Sequence, residues 1–283
     1  MIIRNPAVAG VFYPRNADEL SGMIDRFLRG ASGVDERKAL GLVVPHAGYI
    51  YCGETQAHSY RALMRDEYIF IILGPNHREY GPKIAVMKEG VWKTPLGIMR
   101  IDSEMAESIL RNSEAEESIT AHTEEHSIEV QLPWMLKRFP GSSFVPILLH
   151  SLSEKEVREF GMSLKEAMES IGKSAIIIAS SDFTHFGEVY GYTPVEGGIS
   201  RRLNFIKEID REAAEAIAKL APERFLDTVL EKRATICGYL GIASMLYALK
   251  GRARKGEILH YSTSYEVSKD PHAIVGYCGI VIE

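Results

Sequence analysis

Ile69-Phe70-Ile71-Ile72-Leu73-Gly74-Pro75-Asn76-His77 is a short run of branched and aromatic residues that breaks at a Gly-Pro pair and closes on a histidine. A run of this length, rich in isoleucine and ended by turn residues, reads as a strand buried on both faces, as in the interior of a parallel sheet. The same arrangement recurs. Leu42-Val43-Val44-Pro45 leads into His46, and Ala175-Ile176-Ile177-Ile178-Ala179-Ser180-Ser181 leads into Asp182 and His185. Buried strands are therefore expected over Leu40–Val44, Tyr68–Leu73, Ser143–Leu149 and Ala175–Ala179. Helical patterns fall at Glu54–Met64, Asp102–Arg111, Glu124–Leu132, Glu154–Ser170, Ile199–Leu220 and Gly238–Leu249. This alternation predicts an α/β fold with a mostly parallel or mixed central sheet flanked by helices. Lys83–Arg100 departs from it. The segments Lys83–Met87, Val91–Lys93 and Ile98–Ile101, separated by Gly90 and the Thr94-Pro95-Leu96-Gly97 turn, predict antiparallel hairpins. Glu257–Val267 and Ala273–Ile282 predict two closing strands. No repeat, low-complexity tract or linker divides the chain, so a single domain over residues 1–283 is expected.

Composition narrows the function classes. The chain is 46% hydrophobic and 25% charged, as ordinary globular proteins are, and its net charge of -5 with no long basic run gives no electrostatic footprint for nucleic acid. No apolar run approaches the roughly 18 residues of a membrane span. Met1-Ile2-Ile3-Arg4-Asn5-Pro6 lacks the cationic start and apolar run of a secretory leader. Three widely spaced cysteines without a C-x-x-C pair argue against a disulfide framework or structural zinc knuckle, and for a reducing, cytoplasmic setting. Amides are confined to Asn5, Asn16, Asn76, Asn112, Asn204, Gln56 and Gln131, a depletion that predicts a heat-adapted, thermophilic protein. Walker A, G-x-G-x-x-G and G-x-S-x-G motifs are all absent, so nucleotide binding and α/β-hydrolase chemistry lack their signatures.

In open α/β sheets, ligands bind beyond the carboxyl ends of the strands. If the runs above are parallel neighbours, His46, His77, Asp182 and His185 face one crevice. A single histidine after a strand is ordinarily structural, but the repetition across three strands points to a shared metal or acid–base site. Cys237, in Thr235-Ile236-Cys237-Gly238-Tyr239-Leu240, precedes a helical pattern. There the macrodipole favours thiolate, the metal-binding form, although a free cysteine equally fills the role of a small buried hydrophobe. Cys52 lies close behind His46, and Cys278 reads as a strand residue. His122-Thr123-Glu124-Glu125-His126 matches the H-x-x-E-H motif of inverzincins. Thr123, however, looks like a helix N-cap, which leaves His122 outside the helix and His126 at its start, free to point into the crevice. His58, His150, His260 and His272 read as structural.

Val44-Pro45-His46-Ala47-Gly48-Tyr49-Ile50-Tyr51-Cys52-Gly53, Leu73-Gly74-Pro75-Asn76-His77, Glu125-His126-Ser127-Ile128-Glu129-Val130-Gln131-Leu132-Pro133, Ser180-Ser181-Asp182-Phe183-Thr184-His185-Phe186-Gly187 and Thr235-Ile236-Cys237-Gly238 occur in this order. Together they resemble the Memo family, with a likeness running from Ala7, Gly10, Phe12, Tyr13 and Pro14 to the closing strand. The resemblance implies a fold similar to class III extradiol ring-cleaving dioxygenases, which hold non-haem Fe(II) with two histidines and a carboxylate and use another histidine as acid–base catalyst. It implies His46 and His77 as metal ligands, Cys237 in place of the carboxylate, His185 as the acid–base residue, and Asp182 and His126 as further catalytic residues of the site. The implied cofactor is a mononuclear metal, Fe(II) or Cu, with Zn also compatible, because a thiolate is a softer donor than a carboxylate. The expected function is metal-dependent redox chemistry on a small substrate. The alternatives are a non-catalytic module that binds a peptide or small ligand in the same crevice, as the family's association with animal signalling and motility implies, and a zinc-dependent hydrolase. Microbial members often occur alongside AMMECR1-type and radical SAM proteins, which are the functional partners the resemblance implies.

Overall fold

The apolar runs form the middle of the main sheet in a computed structural model that describes residues 1–283. Gly41–Val44 pairs in parallel with Ala175–Ser180, which pairs in parallel with Ile69–Pro75, which in turn pairs in parallel with Ser143–Leu149. Every residue of Gly41–Val44 and Ile69–Pro75 is buried, which is why these runs carry no polar alternation. Register brings their ends together: Val44 lies opposite Ser180, and Leu73 opposite Ala179. The three strands that precede His46, His77 and Asp182 therefore finish along one edge.

Antiparallel strands complete the sheet on both sides, so it is mixed. Ile274–Ile282 runs antiparallel to Gly41–Val44 and carries Gly256–Thr263 and the short His185–Phe186. On the far side Ile84–Val86 runs antiparallel to Ser143–Leu149. Tyr239–Ala248 packs on Ile69–Pro75 and Ala175–Ser180, Glu154–Ile171 packs on Tyr239–Ala248, and Tyr49–Ala62 packs on the closing strands. One cluster of 75 buried apolar residues joins sheet and helices, so the core is continuous. No helix is long and apolar enough to cross a membrane.

Three expectations change. Of the predicted hairpins, only Val91–Thr94 with Gly97–Arg100 forms, in a separate small sheet with Ile3–Arg4; Ile84–Val86 joins the main sheet instead. The helix predicted over Glu124–Leu132 is not made. That stretch holds a 3₁₀ turn at Glu129–Gln131, and the α-helix begins only at Leu132–Arg138. The reason is local, because the Glu125 carboxylate accepts the backbone N–H groups of His126 (2.8 Å) and Ser127 (2.9 Å), offering them partners other than a helical ladder. Finally, Ala17–Gly30 and Pro222–Lys232 are helices with no counterpart among the predicted patterns, the first capped by Asn16, which accepts Glu19 N–H at 3.0 Å.

Candidate metal centre

His46 follows its strand directly and is buried. Its backbone N–H donates to Asp182 Oδ1 at 2.7 Å, joining the ends of two adjacent strands. Its Nδ1 lies 3.1 Å from Ser180 Oγ. Ser180 donates its only proton to the Ser127 carbonyl at 2.6 Å and accepts from Gln131 Nε2 at 2.8 Å, so His46 Nδ1 must be the donor to Ser180. The lone pair of His46 is thereby left on Nε2.

His77 is oriented by Glu125, whose carboxylate accepts the His77 backbone N–H at 2.8 Å and Nδ1–H at 2.9 Å. His126 Nδ1 lies 3.3 Å from the same carboxylate. The rings of His77 and His126 stack with centroids 4.7 Å apart, and His46 stands nearly perpendicular to both, at 5.3 and 5.6 Å. One ring nitrogen from each of His46, His77 and His126 falls within 4.8 Å of the others. With all three Nδ1 atoms turned to Ser180 or Glu125, Nε2 is the nitrogen each ring offers, an arrangement typical of metal-ligating histidines held by outer partners. The donor set fits a single metal ion.

Electrostatics follow from burial and crowding. Burial lowers the His46 pKa well below the ordinary imidazole value, and the neighbouring His77, His126 and His185 add to this. Burial also opposes charge on His126, bringing it to about 4 despite Glu125. At His77 burial acts the same way, but the hydrogen bond and charge of Glu125 outweigh it and the pKa rises. Burial resists ionisation of Glu125, yet His77, His126 and the Ser127 N–H hold it down at about 2. Two of the three imidazoles are thus kept neutral, as metal ligands must be.

Asp182 is buried against the crevice, and burial raises its pKa, partly offset by His185. His185 donates from Nδ1 to the Thr235 carbonyl at 3.0 Å, which leaves its Nε2 as a lone pair. His46, His77, His126, Asp182 and His185 all line one crevice of about 570 Å³.

Cys237 lies beside the triad and outside it. Its Sγ is 3.2 Å from His46 Nε2 and accepts the Asp182 N–H at 3.3 Å. It is brought there by Gly238, where a Cβ would lie only 2.5 Å from the Ser180 carbonyl oxygen, so no larger residue allows this approach. Burial, reinforced by Asp182, pushes the thiol pKa up and so opposes the thiolate. Cys52 is buried and donates to the Ala47 carbonyl at 3.2 Å. The H-x-x-E-H reading is corrected: His122 sits in a short helix, Thr120–Thr123, its Nδ1 bonded to the Ser118 carbonyl at 2.7 Å and its ring against Trp92, away from the crevice.

A family model described as Memo-like protein matches residues 4–281. The chain belongs to the Memo family. A MEMO1 family protein of Pyrococcus abyssi is 41% identical over 291 residues, covering 99% of each chain. One from Methanosarcina barkeri is 40% identical over 283 residues, covering 99% of this chain and all of the relative. Within the Memo motifs, the residues that orient the histidines, namely Glu125, Ser180, Gln131 and Thr235, were not singled out from sequence. For Glu125 a signal existed in its position next to His126 within the H-x-x-E-H match, but nothing in that match marks it as the anchor of two histidines.

Proposed function

We propose that this chain carries a mononuclear metal, Fe(II) or Cu, and performs metal-dependent redox chemistry on a small molecule admitted to the crevice. The observation that carries the reading is the convergence of three imidazole nitrogens within 4.8 Å at the wall of an open crevice. His46, His77 and His126 would hold the metal, with Cys237 Sγ as a further donor next to His46. When bound, the metal supplies a Lewis acid and a centre that exchanges electrons with O₂ or substrate.

The protein's own groups account for orientation and proton transfer. Glu125 and Ser180 fix the ligand rings and their tautomers. His185, tethered through Nδ1 to Thr235, presents Nε2 to the crevice and takes or returns a proton on a bound molecule. Asp182 holds the His46 backbone and places a carboxylate beside that exchange. The reaction class is the one that the resemblance to class III extradiol dioxygenases implies.

A zinc-dependent hydrolase is the second reading, favoured by the three-imidazole donor set, which zinc also accepts with an open fourth position. Metal analysis of protein purified without oxygen, combined with oxygen-uptake assays on a panel of small phenols and related molecules, separates the two. Bound iron or copper with substrate-dependent oxygen consumption supports redox chemistry. Preferential retention of zinc with ester hydrolysis supports the second reading, and tight ligand binding without turnover of any kind supports a binding module.

A further inference from the structure

Most buried tyrosines in this fold find partners for their hydroxyls. Tyr13 donates to Glu129 at 2.5 Å, Tyr49 to the Val130 carbonyl at 2.7 Å, Tyr60 to Gln131 at 2.8 Å and Tyr68 to the Met64 carbonyl at 2.8 Å. This is the usual behaviour of a phenol removed from water. Tyr277 differs from these. Its side chain is only 2% exposed and lines the metal crevice, and its hydroxyl, which makes no hydrogen bond to the protein, opens to that crevice rather than being sealed away.

Its placement is fixed by the sheet. Val275 and Tyr277 are two residues apart on Ile274–Ile282, so they share a face, and both border the crevice. The Tyr277 ring packs in a small cluster with Cys52 and Val275, with Ala47 and Tyr51 against it. Burial, then the charges of Asp182 and Cys52, raise the phenol pKa, so the hydroxyl keeps its proton and acts as a donor. No lysine or arginine lines the crevice, while Asp182 and Asp270 do.

We propose that the Tyr277 hydroxyl is a ligand-binding group, donating a hydrogen bond to a molecule held at the His46, His77 and His126 cluster. The molecule is a small one with an oxygen or nitrogen acceptor and no anionic group beyond one that the metal takes up, because the walls offer no cation to a second. This rests on the metal reading above.

Cobalt(II) and azide probe it directly, with cobalt content measured first and azide binding followed by the visible absorption of the metal. Tyr277→Phe removes only the hydroxyl. The variant is expected to bind cobalt to the same stoichiometry as the wild type and to bind azide roughly threefold to tenfold more weakly, the usual effect of losing one hydrogen bond. Equal azide affinity at equal cobalt content overturns the role of Tyr277 and leaves the metal reading standing. A wild-type protein that takes up no cobalt overturns the metal reading itself, and the Tyr277 proposal with it.

Discussion

Two groups of histidines in this molecule look alike at first inspection and differ in what surrounds them. His58 and His260 stack on the surface with centroids 4.4 Å apart, much as His77 and His126 stack at 4.7 Å. In the surface pair, His58 Nδ1 bonds a carbonyl of its own helix and His260 Nδ1 a threonine hydroxyl, and the nearest carboxylate, on Glu54, is mostly exposed and 4.0 Å from His260. In the crevice, a buried carboxylate orients two rings, a buried serine orients a third, and the third ring closes the group at right angles. Proximity is common to both. Only the crevice group has a buried carboxylate, Glu125, that two of its rings share.

The sharpest way to break this contrast is to remove the anchor. Glu125→Ala is expected to weaken metal binding by roughly 10- to 100-fold, as loss of outer partners does. It should also cost about 3 kcal/mol of stability, since the buried N–H groups of His77, His126 and Ser127 lose their acceptor. Metal retention after dialysis and a chemical unfolding curve measure the two effects.

His122 offers a third environment, a single imidazole sealed in the core. Burial lowers its pKa from 6.5 to about 4. The unfolded chain therefore takes up a proton between these values that the folded chain refuses. The stability this group protects is complete above pH 6.5 and declines as pH falls towards 4, by about 3 kcal/mol at about 1.4 kcal/mol per pKa unit. Urea unfolding at pH 7 and pH 4.5 should show the decline, and His122→Leu should flatten it. An equal slope in the variant would assign the acid sensitivity elsewhere.

Ser180→Ala tests a single tautomer. It removes the acceptor of His46 Nδ1 and is expected to weaken metal binding by about tenfold, the low end for such partners. The smallest effect belongs to the surface pair. His58→Ala and His260→Ala should leave metal content unchanged and stability within about 0.5 kcal/mol. Loss of metal in either would place a site where none is expected.

The sequence carries the scaffold of the crevice well, for a physical reason. Strands buried on both faces must be apolar throughout, so the runs before His46, His77 and Asp182 announce both their class and their ends, and parallel pairing then makes those ends neighbours. The remainder depends on long-range contacts. Glu125 belongs to an irregular segment whose conformation is set by the bonds its own carboxylate makes, so periodicity reads a helix where there is none. His126, at the start of that misread helix, lies with His46 and His77 in the structure. The charge state of Cys237 is equally hidden, because the helix start visible in sequence favours thiolate whereas burial, invisible there, opposes it.

The most direct test is a metal titration of wild-type protein, freed of bound ions and kept from oxygen, beside His46→Ala, His77→Ala and His126→Ala. Uptake of a single ion per chain by the wild type, with each variant losing most of its affinity, is the predicted result. A wild type that binds neither iron, copper nor zinc, or three variants that bind as it does, would contradict the account.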